Sequence, residues 1–260
     1  MKWFLLIFVL VKAHNAFAEQ NIIDSLYLAN KPDSADELSV IGEFGFLLAN
    51  GNSNASTITA KLNTSQELTS WSYQIIGNAL YKQSQQELDG EKSYQASAQK
   101  LFLSTQLDHK LAEPNERLFI YGEYENNRFS GFRYQAALAA GWSSRLWHDE
   151  QSEFKYSVGP GYAISKIERG YSGSNTNSFI IRVAMEYKHK LSGYASFRQF
   201  VSIEAAQKFT KAKSETSLST KLTGALAMKL SFFMDIDTSV GPNIEELNTE
   251  TAVILVYQFF

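Results

Sequence analysis

Charged side chains that alternate with apolar ones are the residues of this chain with the clearest chemical potential. In one stretch, Arg182, Glu186 and Lys188 alternate with Val183 and Tyr187. A period of two places the charged residues on one face of a β-strand and the apolar residues on the other. Charged groups gathered in a confined space can pair with each other or bind a solute of opposite charge.

The same alternation recurs from residue 39 to the C-terminus and predicts twelve strands. Most of them span 11 to 14 residues, whereas soluble strands have about five or six and a tilted membrane-spanning strand needs about nine to eleven. The sequence therefore predicts an all-β fold, an antiparallel transmembrane β-barrel of about 12 strands connected as an up-and-down meander. The predicted strands are 39–50, 55–67, 71–83, 93–106, 118–128, 134–147, 153–166, 178–189, 194–206, 215–227, 229–240 and 249–260.

The connections are expected to differ between the two ends of this barrel. Odd-numbered connections, such as 84–92 and 167–177, are mostly long and rich in Gly, Ser, Asn or charge. Even-numbered turns, such as those near 68–70 and 190–193, are short. Outer-membrane barrels have long extracellular loops and short periplasmic turns, so we expect the odd connections to lie outside the cell.

The N-terminal 18 residues have the pattern of a secretory signal peptide. An apolar run over 3–11 follows a positive residue, and Ala16-Phe17-Ala18 is a small-x-small cleavage site. We predict cleavage near Ala18, a periplasmic N-terminal arm over 19–38, and a barrel over 39–260 in the outer membrane of a Gram-negative cell.

Composition excludes several other classes of protein. With 44% hydrophobic and 20% charged residues among 260, the chain is too apolar to be disordered. It has no cysteine, which excludes thiolate metal sites and a cysteine nucleophile. A formal charge of −3 gives no general case for nucleic-acid binding, and no apolar run reaches the roughly twenty residues of a helical membrane span.

The inward face of the predicted barrel is crowded with charges of both signs. A twelve-stranded barrel is only modestly wider than an eight-stranded one, which side chains fill, and buried charges are costly unless paired. We therefore predict cross-strand ion pairs and a lumen that admits only small ions or solutes with weak charge selectivity. The alternative is a wet barrel face without a transport role. The candidate lumen charges are Glu43, Lys61, Glu123, Arg145, Lys155, Arg182, Glu186, Arg198, Glu204, Asp235 and Asp237, joined by Lys82, Glu125, Glu153, Lys188, Lys221 and Lys229.

Three smaller features of the sequence also lead to expectations. The register of the fourth strand stays open, because polar Gln99 shares a face with Leu101. Pro160 lies between two glycines inside a strand and predicts a bulge or bend, since proline cannot donate to the ladder. Outer-membrane barrels usually end in an aromatic residue on an alternating strand, so we expect Tyr257 and Phe259 of the final strand to form the assembly signal, with Phe259 as the residue that is read.

Basic and catalytic groups outside the lumen are few. Lys208, Lys211 and Lys213 fall in the predicted outer connection 207–214, where they are either simply solvated or in contact with lipopolysaccharide phosphates. A Ser–His catalytic pair needs the base within hydrogen-bond reach of the nucleophile. We place all histidines after residue 18 near the periplasmic ends, away from the outer leaflet, and predict no enzyme, no cofactor and no metal site. Those histidines are His109, His148 and His189.

Several motifs, in this order along the chain, resemble the YdiY-like family of salt-induced outer-membrane proteins, a family of unknown function common in Gram-negative bacteria. The similar segments are the hairpin Ala49-Asn50-Gly51-Asn52-Ser53-Asn54-Ala55-Ser56, the central pair Leu118-Phe119-Ile120-Tyr121-Gly122-Glu123-Tyr124-Glu125 and Arg128-Phe129-Ser130-Gly131-Phe132-Arg133-Tyr134, Gly159-Pro160-Gly161-Tyr162, and Asn248-Thr249-Glu250-Thr251 before the final strand. The resemblance implies an outer-membrane location and a link to salt or osmotic conditions. It implies no catalytic residues.

Three functions are compatible with these observations. The first is a narrow channel or an envelope-maintenance barrel under ionic stress. The second is a lipid-modifying or hydrolytic barrel enzyme, and the third is a structural or adhesion barrel. The expected partners are outer-membrane lipids and lipopolysaccharide, the barrel assembly machinery, and small ions or solutes, without nucleic acid.

Overall fold

A computed structural model describes residues 38–49, 55–88, 91–127, 131–168, 175–241 and 245–259. The predicted signal peptide over 1–18, the arm up to residue 37, the first hairpin loop at 50–54 and Phe260 lie outside the described residues. Among the residues that the structure describes, no helix is long and apolar enough to cross a membrane.

The described chain forms one closed barrel of twelve antiparallel strands. Each strand pairs with its neighbours in sequence, and the last strand pairs with the first. The predicted all-β meander is therefore confirmed. The strands are β1 (Leu38–Ala49), β2 (Ala55–Glu67), β3 (Trp71–Leu88), β4 (Glu91–Lys110), β5 (Glu116–Asn127), β6 (Phe132–His148), β7 (Ser152–Ile167), β8 (Thr176–Ser192), β9 (Ala195–Ala206), β10 (Thr210–Thr223), β11 (Leu226–Asp237) and β12 (Leu247–Gln258).

The barrel is apolar outside and charged inside. Leu138 and Phe179 on the outer surface are 61% and 81% exposed, whereas Arg182 and Lys229 in the lumen are 3% and 4% exposed. This inverts the pattern of a soluble protein, in which Lys and Arg are almost never fully buried. An apolar outer band around a polar interior is the pattern of a barrel whose solvent is lipid.

Aromatic side chains pair on the outer surface near both ends of the barrel. The Trp147 and Phe154 rings stack with centroids 4.7 Å apart at the end where β1 begins and β12 ends. At the other end, Tyr162 meets Phe179 edge-on at 5.2 Å. These rings lie where the aromatic girdles of membrane barrels meet the lipid headgroups.

The two ends carry different connections. At the short-turn end, where β1 begins and β12 ends, the turns are 68–70, 111–115, 149–151, 193–194 and 224–225. At the loop end the connections are 50–54, 89–90, 128–131, 168–175, 207–209 and 238–246. The predicted long loop over 84–92 is wrong, because β3 and β4 extend toward each other as a hairpin that leaves 89–90 as its tip.

A carboxylate orders the turn between β6 and β7. The backbone N–H groups of Gln151 and Ser152 donate to Asp149 Oδ1 at 2.8 and 2.6 Å. These two hydrogen bonds hold the pKa of the exposed Asp149 below its usual range.

Strand β10 lies earlier in the chain than the sequence predicted. It covers 210–223 rather than 215–227, and β11 begins at Leu226 rather than at residue 229. The outward residues at the start of β10, such as Ala212 and Ser214, are small or polar, so the hydrophobic alternation is weak there. This shift moves Lys211 and Lys213 out of the predicted loop and into the barrel wall.

One irregularity of the ladders lies in β4. Ala96 and Ala98 pair with Gln83 and Lys82, so Ser97 is the extra residue of a bulge, and the inward–outward alternation changes phase there. Gln99 and Leu101 both follow the bulge and share the outward face, where Leu101 is 53% exposed.

The predicted irregularity at Pro160 lies where β6 and β7 approach closely. The ladder contains the pairs Ala139↔Gly161 and Trp142↔Val158, with none between them. A Cβ added at Gly159 would lie 2.2 Å from the carbonyl oxygen of Ala140. Glycine is therefore required there for the backbones to meet, and proline removes one ladder donor.

The seam between β1 and β12 is the shortest ladder of the barrel among the described residues. Five residue pairs join the two strands, from Ile41↔Gln258 to Gly45↔Ile254. In contrast, β1 pairs with β2 along its whole length, from Leu38↔Gln66 to Ala49↔Ala55. Closure of the ring therefore depends on few backbone hydrogen bonds and on the side chains that flank them.

Candidate functional site

The charged lumen is the candidate functional site. The structure places the predicted lumen charges on the inner face of their strands, most of them buried or half-buried. They are Glu43, Lys61, Glu123, Arg145, Lys155, Arg182, Glu186, Arg198, Glu204, Asp235 and Asp237. The sequence analysis missed a further set that also faces inward, namely Glu67, Lys100, Asp108, Lys110, Arg117, Lys211, Lys213 and Glu215.

One group of ion pairs crosses the lumen, and we call it the lumen bridge: Lys100, Glu123, Glu125, Lys213 and Asp235. Lys213 Nζ lies 3.5 Å from Glu123 and 3.2 Å from Glu125. Lys100 Nζ lies 3.4 Å from Glu125 and 3.2 Å from Asp235. The five groups form a continuous set of ion pairs with two lysines between three carboxylates.

The lumen bridge joins opposite walls of the barrel. Lys213 on β10 and its partners on β5 are five strands apart around the ring, and so are Lys100 on β4 and Asp235 on β11. Lys213 Nζ also lies 4.3 Å from the centroid of the Phe102 ring on β4. Side chains of both walls therefore meet inside the bore and obstruct it.

Lys211 belongs beside this bridge and not in an outer loop. It is buried in the barrel, and its Nζ lies 3.8 Å from Glu123. The prediction that Lys211 lies in an outer connection is therefore wrong. Lys208 is exposed in the connection between β9 and β10, as the sequence predicted.

A second group of ion pairs lies along the wall, and we call it the wall network: Glu43, Glu186, Arg198, Glu215 and Lys229. Arg198 donates to Glu186 at 2.7 Å and to Glu215 at 2.8 Å. Lys229 lies 3.3 Å from Glu215 and also donates to Glu43. These residues lie on β8, β9, β10, β11 and β1, so the network follows the wall and passes over β12 at the seam.

Ion pairs also fill the short-turn end of the lumen. Arg117 forms a two-pronged contact with Glu67, at 2.8 and 3.2 Å, and Lys110 contacts the same carboxylate at 2.9 Å. Glu153 Oε1 lies 3.0 Å from Arg145 Nε and 3.1 Å from Lys155 Nζ. Pairing of this kind offsets the cost of burying charge.

A cavity of about 280 Å³ lies in the lumen between the bridge and the turn at 111–115. A smaller cavity of about 60 Å³ adjoins the wall network. Eight basic and five acidic side chains line the larger one: Lys61, Lys100, Arg117, Arg145, Lys155, Arg182, Arg198 and Lys213, against Asp108, Glu123, Glu186, Glu215 and Asp235.

Arg182 differs from the other arginines of the lumen in how few of its donors are used. Its Nε lies 3.8 Å from Glu204, beyond hydrogen-bond distance. Its guanidinium carbon lies 3.6 Å from the centroid of the Tyr121 ring, and the Tyr121 hydroxyl donates to Glu123 at 2.7 Å. Nε and Nη1 donate to no residue that the structure describes.

His109, His148 and His189 lie at the short-turn end. His109 packs against Trp71 with ring centroids 4.5 Å apart, and His189 shares a hydrogen bond of 2.8 Å with the Ser152 hydroxyl. Both His109 and His189 are on the outer face of their strands. Across the described ranges, no three His, Asp or Glu side chains are grouped to hold a metal ion.

Phe259 closes the seam from outside. It is 55% exposed, and its backbone N–H donates to the Val40 carbonyl at 2.8 Å. Its ring meets Tyr257 edge-on at 4.9 Å and covers Gly42, where an added Cβ would lie 2.8 Å from the ring. The residue predicted to signal assembly is therefore also packed on the first strand.

A closed twelve-stranded antiparallel barrel with an apolar exterior, paired aromatic rings near both ends and a charged lumen defines an outer-membrane-type β-barrel. The chain belongs to the family described as "Protein of unknown function, DUF481", which matches residues 42–259. It is 26% identical over 190 residues to the uncharacterized protein YdiY of Escherichia coli K12, covering 72% of this chain and 69% of that protein. The family resemblance drawn from the sequence motifs is thus confirmed.

Solved outer-membrane proteins share the barrel. The structure of the NanC porin matches with a TM-score of 0.50 at 10% identity, over 86% of this chain and 100% of that one. The translocator domain of the autotransporter NalP from Neisseria meningitidis gives a TM-score of 0.48 at 10% identity, over 88% and 90%. At this identity, the likeness to the NanC porin shows the fold alone.

Proposed function

We propose that the protein is a narrow channel of the Gram-negative outer membrane that passes small ions and solutes. In this proposal the signal peptide directs export, the barrel assembly machinery inserts the barrel, and the short-turn end faces the periplasm. Lipopolysaccharide contacts the loop end, where Lys208 is exposed. The channel acts under salt or osmotic stress and catalyses no reaction.

The observation that carries this proposal is the lumen bridge. Twelve strands give a bore only modestly wider than one that side chains fill. Two lysines and three carboxylates from opposite walls meet in that bore, and a cavity of about 280 Å³ lies beside them. A general pore needs an unobstructed bore, whereas this arrangement fits slow passage of small solutes past ion pairs.

Single-channel recording of the refolded full barrel in planar bilayers tests the proposal. We expect a conductance far below that of a general porin, with weak selectivity between anions and cations. Lys213→Met removes the central cation of the bridge and should raise the conductance severalfold. Lys208→Met removes an exposed lysine of the connection between β9 and β10 and should leave the conductance unchanged.

Two results would contradict the channel. The first is the absence of any conductance in both the intact barrel and Lys213→Met, which would favour an envelope-maintenance or structural role. The second is recovery of the protein as a soluble periplasmic monomer instead of an outer-membrane species whose gel mobility changes on boiling.

A further inference from the structure

We propose that the lumen cavity of about 280 Å³ is a binding site for one small organic carboxylate, with Arg182 as the residue that holds its carboxylate group. The inference deepens the proposed function and rests on it in one respect, since the site lies on the route of the proposed channel. It names the class of solute that would bind in the cavity.

Basic side chains line the cavity, whereas several of the carboxylates that pair with them do not reach its surface. Arg117 and Arg182 line the cavity, whereas their carboxylate partners Glu67 and Glu204 do not and are each 5% exposed. Glu153, which pairs with two further lining cations, is 1% exposed and also lies behind the lining. A solute in the cavity therefore meets more positive than negative groups, although the lumen as a whole is paired.

The Arg182 side chain lines the cavity and has unused donors. It is 3% exposed, and its Nε and Nη1 donate to no residue within the described ranges. Buried donors are normally satisfied, so two orphaned donors on a guanidinium that lines a cavity point to a missing acceptor. A guanidinium presents its N–H groups as a planar fork that matches the two oxygens of a carboxylate.

The neighbours of Arg182 leave room for that carboxylate. Ala184, Ser157 and Ser202 occupy adjacent inward positions on β8, β7 and β9, and all three line the cavity. Their short side chains form a hollow beside the guanidinium, and the two hydroxyls are potential hydrogen-bond donors to the same oxygens.

The rest of the lining favours an organic skeleton over an inorganic anion. Phe102, Phe200 and Phe233 border the same cavity and offer apolar surface that phosphate or chloride cannot use. The volume of about 280 Å³ is close to the lower limit of about 300 Å³ for small-molecule sites. The expected solute is therefore a carboxylate with a short carbon chain.

Three acyclic solutes that share a six-carbon chain and differ in charge test this inference. Gluconate is the anion, sorbitol is the neutral analogue and N-methylglucamine is a cation built on the same chain. Calorimetric titration of the refolded barrel in detergent at low ionic strength should give saturable binding for gluconate alone. Equal heats for all three solutes, or tighter binding of N-methylglucamine, would overturn the proposal.

Variants locate the site. Arg182→Gln should weaken gluconate binding by about tenfold or more, because a charge-assisted pair of hydrogen bonds is lost. Ala184→Leu keeps every charge and fills the hollow, so it should abolish binding even if Arg182→Gln does not fold. Lys82→Gln is the matched control, since Lys82 faces the lumen toward the loop end of β3 and does not line the cavity.

The outcomes separate this inference from the channel. Unaltered gluconate affinity in Ala184→Leu would overturn the site, whatever the conductance. Low conductance of the barrel without any gluconate binding would support the proposed channel and contradict the binding site. Saturable gluconate binding that depends on Arg182 in a barrel without conductance would support the site and remove the channel.

Discussion

The lumen bridge and the wall network both pair carboxylates with basic side chains, but they connect different parts of the ring of strands. In the wall network, Arg198 joins Glu186 and Glu215 on the two strands beside its own. In the bridge, Lys213 reaches carboxylates five strands away. Pairs between neighbouring strands can hold the wall together without blocking it, whereas in the proposed channel pairs between opposite walls would limit what can pass.

The wall network also has a role at the seam. Glu43 on β1 and Lys229 on β11 meet across β12, whose Ile254 and Val256 are buried at 3% and 0% exposure. The five residue pairs that join β1 to β12 are thus reinforced by an ion pair that passes over the last strand. In the proposed channel, stability and permeation would therefore depend on different sets of charges.

The largest effect is expected from breaking the wall network at the seam. Lys229→Met removes the nearest cation of Glu43, while Lys61 stays 3.8 Å from both Glu43 and Glu215. It should lower the free energy of unfolding by about 3 kcal/mol, the lower end of the range for a broken buried ion pair. Urea unfolding of the refolded barrel, followed by tryptophan fluorescence, measures this loss. Because Lys229 does not line the large cavity, the conductance should stay within twofold of the intact protein. A larger change in conductance than in Lys213→Met would erase the distinction between the two groups.

The next effect concerns the outer side of the same seam. Phe259→Ala removes the ring that covers Gly42 and contacts Tyr257, at a cost of about 1 kcal/mol for the aromatic pair. It should reduce the folded fraction, measured by heat-dependent gel mobility, more than deletion of Phe260 does. Gly42→Val should act like Phe259→Ala, because its side chain would displace the ring. Normal assembly of both variants would show that the wall network alone secures the seam.

A charge exchange within the bridge sharpens the comparison from the other side. Lys213→Glu and Glu125→Lys each place like charges near one another and should each raise the conductance severalfold. The double variant restores opposite charges between β5 and β10 and should return the conductance toward that of the intact barrel. Additive effects in the double variant would mean that the two residues do not act as a pair.

The alternation of side chains along each strand determines which features of the lumen could be predicted from the sequence. A period of two determines which side chains share a face, so Arg182 and Glu204 were expected to face the lumen, where the structure places them. Alternation carries no information on which strands lie opposite each other across the bore. The contact between Lys213 and Glu125 therefore emerges only once the ring is closed.

The errors have local physical causes. At the start of β10, outward residues such as Ala212 and Ser214 are not apolar enough to reveal a lipid-facing strand, so Lys211 was assigned to a loop. In β4, a bulge at Ser97 reverses the phase of the alternation. The unused donors of Arg182 depend on distances to Glu204 and Tyr121 that no sequence period encodes.

The smallest effect is expected at a charge that belongs to neither group. Asp149 accepts hydrogen bonds from the backbone N–H groups of Gln151 and Ser152 in the turn between β6 and β7, and these bonds lower the pKa of its carboxyl group. A carboxyl whose pKa is lowered by folding stabilises the folded state above its unfolded pKa of about 3.9, and that contribution is lost as the pH falls through the folded pKa.

Asp149→Ala should therefore exchange the amide proton of Ser152 faster than the intact protein near pH 6, and the difference should diminish as the pH falls below the folded pKa. A difference that persists in acid would mean that the turn is held by contacts other than the ionised carboxylate. At each pH the conductance of Asp149→Ala should equal that of the intact protein, because the turn contributes no side chain to the lumen bridge or to the cavity.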